Sequence, residues 1–245
     1  MQRIDIKADA QRAIDIVTSG GIVLFPHDCG YGIVGGTEET TNMIFNTKQR
    51  GGHKRNTLVC DLETQRELHN VDQRTQDMIE TIAFEHDLPI AAIAPYNPDH
   101  PFIKNLSPEL LKGSTALGRI NLFLNAGNFA NELAARAREV GQILIASSAN
   151  LTGTGQKFRL MDVQEEVRSI ADLHIDYGLR KYHTYKRSAT IINFATMEVV
   201  RMGACYEVIA DILKRQFGVD IPADPGLKEN PSGHLQEFAL KDIVE

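Results

Sequence analysis

Two groups of side chains in this sequence have the types and spacing that anion chemistry asks for. Lys48 and Arg50 stand two residues apart at the end of a segment that reads as a helix. Both cations can converge there on one phosphate or carboxylate, the arginine as a planar fork and the lysine as a mobile point charge. Basic residues in a last helical turn also serve the helix carbonyls, and that simpler use stays open. Further along, Ser148 and Asn150 follow an apolar run and precede Gly153 and Gly155. A hydroxyl, an amide and the backbone N–H groups of such a loop can hold phosphate oxygens or a purine edge, although serine and asparagine are also ordinary turn formers. His27-Asp28-Cys29 places a thiol beside a base, but no glycine elbow or orienting partner accompanies it, and a nucleophilic cysteine is not expected. His86-Asp87 and His174-x-Asp176 read as surface pairs, and no zinc-type spacing is present, so no bound metal is expected.

Two basic stretches add to the list. Residues 48–55 and residues 180–187 each hold four formal positive charges and a histidine, the second with Tyr182 and Tyr185 interleaved. Either could meet RNA phosphates, with the tyrosines as stacking platforms, or simply be solvated surface. The whole chain carries a net charge of −6, so attraction of nucleic acid by overall charge is excluded and any contact would be local.

The elements that must position these groups are those of an α/β protein. Of the 245 residues, 42% are hydrophobic, enough for a sizeable core, and no apolar run nears the roughly eighteen residues of a membrane span. The N-terminus lacks a secretory layout, and Cys29, Cys60 and Cys205 are odd in number and scattered, so a reducing cytoplasmic setting is expected. Helical spacing marks 8–19, 37–48, 73–85, 129–140, 163–171 and 206–217. Apolar runs mark strands at 22–25, 57–60, 90–94, 115–122, 143–146 and 173–176, with a hairpin formed by 189–194 and 198–201. Residues 26–36, rich in glycine, read as a loop or strained hairpin. Helices and strands are interspersed without strict alternation, which predicts a single α/β domain over 1–218 with a twisted, mixed parallel and antiparallel sheet flanked by helices. Residues 219–245, punctuated by Pro222, Pro225 and Pro231, are expected to be an extended or partly disordered tail.

Taken in order, these segments resemble the YrdC-like family, which includes the threonylcarbamoyl-AMP synthases and the YciO proteins. Residues 20–32, GGIVLFPHDCGYG, are similar to the family's opening strand and Pro-Thr-Asp-Thr-x-Tyr-Gly loop. Lys48-x-Arg50 matches its Lys-x-Arg, Arg119 the arginine of its Val-Arg-x-Pro strand, and Ser148-Ala-Asn150 its Ser-x-Asn. Residues 189–193 resemble its Ser-Thr-Val-Val-Asp and residues 201–203 its Arg-Pro-Gly, so the likeness runs from about residue 8 to 215.

The resemblance implies a nucleotidyltransferase with a YrdC-like α/β fold. Such an enzyme makes threonylcarbamoyl-AMP, or a related carbamoyl-adenylate, from an amino acid, bicarbonate and ATP, with magnesium accompanying the nucleotide. It further implies service to tRNA adenosine modification, with partner proteins of that pathway. By the same resemblance Lys48 and Arg50 would be catalytic, Ser148, Asn150, Thr190 and Arg201 would bind nucleotide, and His27, Tyr31 and Arg119 would shape the amino-acid side. The sequence departs from the family pattern where His27 and Cys29 replace two threonines, Ala189 a serine and Met202 a proline. The amino acid is therefore threonine or another. Two other functions fit the residues less well: a non-catalytic YciO-like protein binding tRNA or double-stranded RNA, and a carbamoyl-phosphate-handling domain that would need a second catalytic partner.

Overall fold

The computed structural model describes residues 4–49, 51 and 55–235. Helix α1 (Ile6–Thr18) starts where the Asp5 carboxylate accepts from the Ala8 N–H, and it buries Ala10, Ala13, Ile14 and Val17. Strands β1 (Val23–His27) and β2 (Gly30–Gly35) form a tight antiparallel hairpin over Asp28-Cys29, with every strand residue buried. Helix α2 (Glu38–Thr47) is opened by a capping box between Thr37 and Thr40. There follow β3 (Thr57–Val59), α3 (Leu62–Leu68) and α4 (Gln73–Glu80), the last continuing as a π turn over Thr81–Glu85. The Asn125 side-chain amide donates to the Ala83 carbonyl inside that turn, at 2.7 Å.

Strand β4 (Ile90–Pro95) leads through α5 (Pro101–Lys104) and α6 (Pro108–Ser114) to β5 (Thr115–Ala116) and β6 (Arg119–Leu124). The segment 115–122, expected as one strand, is thus a hairpin, turned by Leu117 and Gly118 at φ of 52° and 71°. Helix α7 (Asn128–Glu139) precedes β7 (Ile145–Ser148), which runs two residues beyond the expected strand and takes Ser147 and Ser148 into the sheet. Helix α8 (Glu165–Arg168) is a single turn, shorter than the expected 163–171, and β8 (Leu173–His174), β9 (Thr190–Asn193), β10 (Glu198–Arg201) and α9 (Tyr206–Phe217) complete the order.

The strands form one mixed sheet in the order β10-β9-β4-β6-β3-β7-β2-β1-β8, with β5 on β6. The pairs β1–β8, β3–β6 and β4–β9 are parallel and the rest antiparallel. Three strands separate β6 from β1 in that order, which in a flat sheet would hold them about 19 Å apart. Instead the Asp28 N–H donates to the Ala126 carbonyl at 2.7 Å, and the His27 ring meets Phe123 edge-on at 5.4 Å. The sheet curls until the ends of β1 and β6 touch, and the concave side of that curl holds the site.

Strand parity then divides the core. Val23 and Phe25 face the large cluster that includes α1 and α7, while Leu24, Tyr31 and Ile33 join Ile44, Val163 and Val167 on the other side, under α2 and α8. Residues 219–235 run across the end of the domain. The Tyr206 hydroxyl donates to the Pro222 carbonyl, Arg187 ion-pairs with Asp224 at 2.5 Å, and His234 bridges antiparallel to Arg201. The Leu235 N–H donates to the Val200 carbonyl at 3.0 Å, extending the free edge of β10.

Candidate active site

On the concave face lies a cavity of about 720 Å3, a size that suits a nucleotide with a small second substrate. Its floor is apolar, made by Phe25, Ala91, Phe123, Ala146, Ile191 and Val200 from six strands. Two glycines make room for it. A Cβ on Gly32 would lie 2.7 Å from the Phe25 ring, and one on Gly30, at φ of 140°, would lie 2.0 Å from the Gln156 side chain. Phe25 and His27 share the cavity-facing parity of β1. Burial, aided by the positive charges of Arg180 and Arg201, lowers the His27 pKa to about 3, so the imidazole stands neutral in the cavity wall.

Lys48 ends α2 and turns inward, only 2% exposed. Its ammonium donates to the carbonyls of Ser148 and Asn150, and its own carbonyl accepts the Thr152 N–H at 3.0 Å. Lys48, Ser148 and Asn150, a hundred residues apart in sequence, thus meet on one wall of the cavity. The glycine-rich turn Thr152-Gly-Thr-Gly-Gln156 continues that wall, with Gly153 and Gly155 at φ of 83° and 75°. Such a turn aims successive amides at a common point, an arrangement suited to phosphate oxygens.

The electrostatics of the cavity are one-sided. Lys48, Arg55, Lys186, Arg187 and Arg201 line it, and among the described lining residues there is no aspartate or glutamate. Of these cations, Arg187 has its charge neutralised by a carboxylate inside the protein. Arg187 is buried, with its guanidinium on Asp224 and on the carbonyls of Met202 and Asn230. The segment that supplies Asp224 and Asn230 also adds Pro231, Ser232 and His234 to the lining.

Of the residues singled out in the sequence, His27, Lys48, Ser148, Asn150 and Arg201 line this cavity. Arg201 also donates to the Ala189 carbonyl at 2.8 Å. Arg50 lies outside the described residues. Three others stand away from the cavity lining. Tyr31 has the opposite strand parity to Gly30 and Gly32, so its ring enters the second core cluster, where its hydroxyl meets Asp176 at 2.6 Å and accepts the Tyr177 N–H at 3.1 Å. Thr190 is fully buried, and its hydroxyl donates to the Ala204 carbonyl and accepts the Gly203 N–H. Arg119 sits at the start of β6, opposite Pro95, two positions before the lining residue Asn121.

Several lining residues carry no sequence signal of their own. Asn121 is a polar residue inside an apolar strand, and its amide donates to the Thr57 hydroxyl at 2.9 Å. Gln156 follows the glycine turn and donates to the Tyr31 carbonyl at 2.9 Å. Of the second basic stretch, Arg180 and Arg187 are turned inward, while Lys181 and Lys186 are exposed. Arg180 donates to the His27 carbonyl and faces Asp28, Lys181 lies over the Tyr182 ring, and Tyr182 and Tyr185 pack against the core. Cys29 is buried at the hairpin turn, and burial pushes its thiol pKa well above the ordinary value, the opposite of an activated nucleophile. No helix among the described residues is long and apolar enough to cross a membrane, and no cluster of three or more metal-ligating side chains occurs among them.

A family model named Sua5_yciO_yrdC and described as "Telomere recombination" matches residues 15–203. No curated protein matches the chain. Among solved structures, the hypothetical protein smu.1377c from Streptococcus mutans UA159 is similar with a TM-score of 0.72 and 20% identity, covering 85% of this chain and 92% of that one. P. abyssi Sua5, complexed with L-threonine, gives a TM-score of 0.65 at 18% identity, covering 82% of this chain and 56% of Sua5. E. coli YciO gives 0.57 at 19% identity, covering 78% and 86%. At these identities the likeness is one of fold.

Proposed function

The chain belongs to the Sua5/YciO/YrdC family, and from that premise we propose that it is a nucleotidyltransferase that makes a carbamoyl-adenylate from an amino acid, bicarbonate and ATP, for the modification of an adenosine in tRNA. The observation that carries this reading is the meeting of Lys48 with the Ser148–Asn150 turn on a cavity lined by cations and free of carboxylates among its described residues.

The reaction fits such a cavity. The amine and bicarbonate condense to a carbamate with loss of water. A carbamate oxygen then attacks the α-phosphorus of ATP, the bond to the bridging oxygen breaks, and pyrophosphate leaves. Two anions must be brought together and the leaving charge neutralised, a task of positioning and electrostatics more than of covalent catalysis. Lys48 holds the 148–150 turn in place and brings its charge beside it. Arg201, Arg55 and Lys186 add positive charge along the wall, and the amides of the 152–156 turn are suited to the phosphate oxygens. Phe25, Phe123, Ile191 and Val200 offer the flat apolar surface a base needs. With no carboxylate among the described lining residues, magnesium would be carried by the triphosphate and would supply charge compensation there.

The test is pyrophosphate release in the presence of ATP, magnesium and bicarbonate, with each standard amino acid supplied in turn. Release that depends on both an amino acid and bicarbonate is the expected result. A protein that releases none with any amino acid refutes the proposal.

A further inference from the structure

Among the buried polar atoms of cavity-lining residues that have no hydrogen-bond partner among the described residues, three belong to uncharged side chains: His27 Nδ1, Asn121 Oδ1 and Gln156 Oε1. They belong to one region. The His27 ring is edge-on to Phe123, which shares its strand face with Asn121 two residues before it. Gln156 lies over Gly30, the residue paired with His27 across the hairpin. The amide orientation of Gln156 is set by chemistry, because its Nε2 donates to two carbonyls, those of Tyr31 and Lys157. Its Oε1 is therefore an acceptor turned away from them. Asn121 donates through Nδ2 to Thr57 and likewise presents its oxygen. His27 is neutral, with a ring that can accept.

A buried acceptor without a donor is costly, and few such groups persist in native proteins unless a ligand or water meets them. The charge around these three selects the donor. No carboxylate lines the cavity among the described residues, and Arg180 and Arg201 both act on His27, so a cationic ligand group is repelled. Carbonyl oxygens in turn repel an anion. What remains is a neutral group with N–H donors.

We infer that this end of the cavity is the side-chain subsite for the amino acid, and that His27, Asn121 and Gln156 select a neutral carboxamide, as in asparagine or glutamine, over a hydroxyl or an apolar side chain. The planar amide brings two N–H donors to neighbouring acceptors. A hydroxyl brings one, and a methyl group leaves all three unmet. The inference rests on the synthase reading above and names its substrate class.

The experiment is calorimetric titration of the full chain, first with an ATP analogue bearing a methylene bridge between the α and β phosphorus atoms, together with magnesium and bicarbonate. Amino acids are then titrated into that complex. Asparagine or glutamine binding roughly tenfold or more tightly than threonine, serine or valine is expected, since sites built to hydrogen-bond a polar group reject analogues lacking it. His27→Thr and Asn121→Asp should narrow that ratio, and circular dichroism melts establish that each variant is folded. Should a variant not fold, the ranking in the unaltered protein still decides. Threonine, serine or valine binding as well as the carboxamides, or no amino acid binding to the nucleotide-loaded protein, overturns the subsite. Absence of nucleotide binding itself overturns the synthase reading and this inference with it.

Discussion

Acidification from about pH 7.5 to pH 5 should remove roughly 4 kcal/mol from the folding stability of this protein through two histidines. His27 and His69 are both buried, and burial lowers the pKa of each from 6.5 to about 3. In the unfolded chain each takes up a proton as the pH falls through 6.5, whereas the folded protein resists until about 3. Across that window the unfolded state binds more protons, so stability is full above pH 6.5 and drains away below it, by about 1.4 kcal/mol per pH unit and per histidine. At pH 5 the loss is about 2 kcal/mol for each, a large part of the 5–15 kcal/mol that holds a typical domain. Asp9, Glu80 and Asp224, whose carboxyls are held below their ordinary range, lose their contribution only at lower pH. Burial raises the pKa of Asp28, so that group acts with the opposite sign. Urea unfolding at both pH values, with the slope checked for constancy, measures the difference. His27→Gln, which cannot titrate, should show about half the wild-type loss. A midpoint that does not move between the two pH values, or a His27→Gln variant as acid-sensitive as the parent, refutes the burial argument.

Two further outcomes follow from the placement of single side chains. Lys48→Met keeps the apolar stem but strips the ammonium from the Ser148 and Asn150 carbonyls, so it should cost about 1–3 kcal/mol of stability, read by urea unfolding. The same variant should lower amino-acid-dependent pyrophosphate release by about 10- to 1000-fold, and an unchanged rate would place the working charge elsewhere. Tyr31→Phe removes a hydroxyl bonded to Asp176 and Tyr177 on the far side of the sheet, so it should lose about 1–3 kcal/mol of stability while leaving the amino-acid KM unaltered. A shifted KM with undiminished stability would contradict that placement.

Much of the fold was legible because its signals are local. The helices at 6–18, 38–47, 128–139 and 206–217 begin and end within two residues of where periodicity and stop residues put them. The hairpin of β9 and β10 was equally plain. The turn at Leu117-Gly118 was not, since leucine is an unlikely occupant of a left-handed position and Gly118 is the single local signal of a break in the apolar run. Ser147 and Ser148 read as a loop but lie in β7, because pairing with β2 decides where that strand ends.

The site divides along the same line. From sequence alone come the residue types, the Lys48 and Ser148–Asn150 groups, the mixed α/β class and the family resemblance, all properties of order and spacing along the chain. Tertiary structure decided which of those side chains share a space. Strand parity, set by the two-residue turn at Asp28-Cys29, sends His27 into the cavity and Tyr31 away from it. The curl that joins Asp28 to Ala126 brings Phe123 against His27, and the segment around Asp224 reaches back to occupy Arg187. These contacts span many tens of residues, and no local propensity encodes them. They exist only because burying both faces of one curled sheet fixes where every strand end must lie.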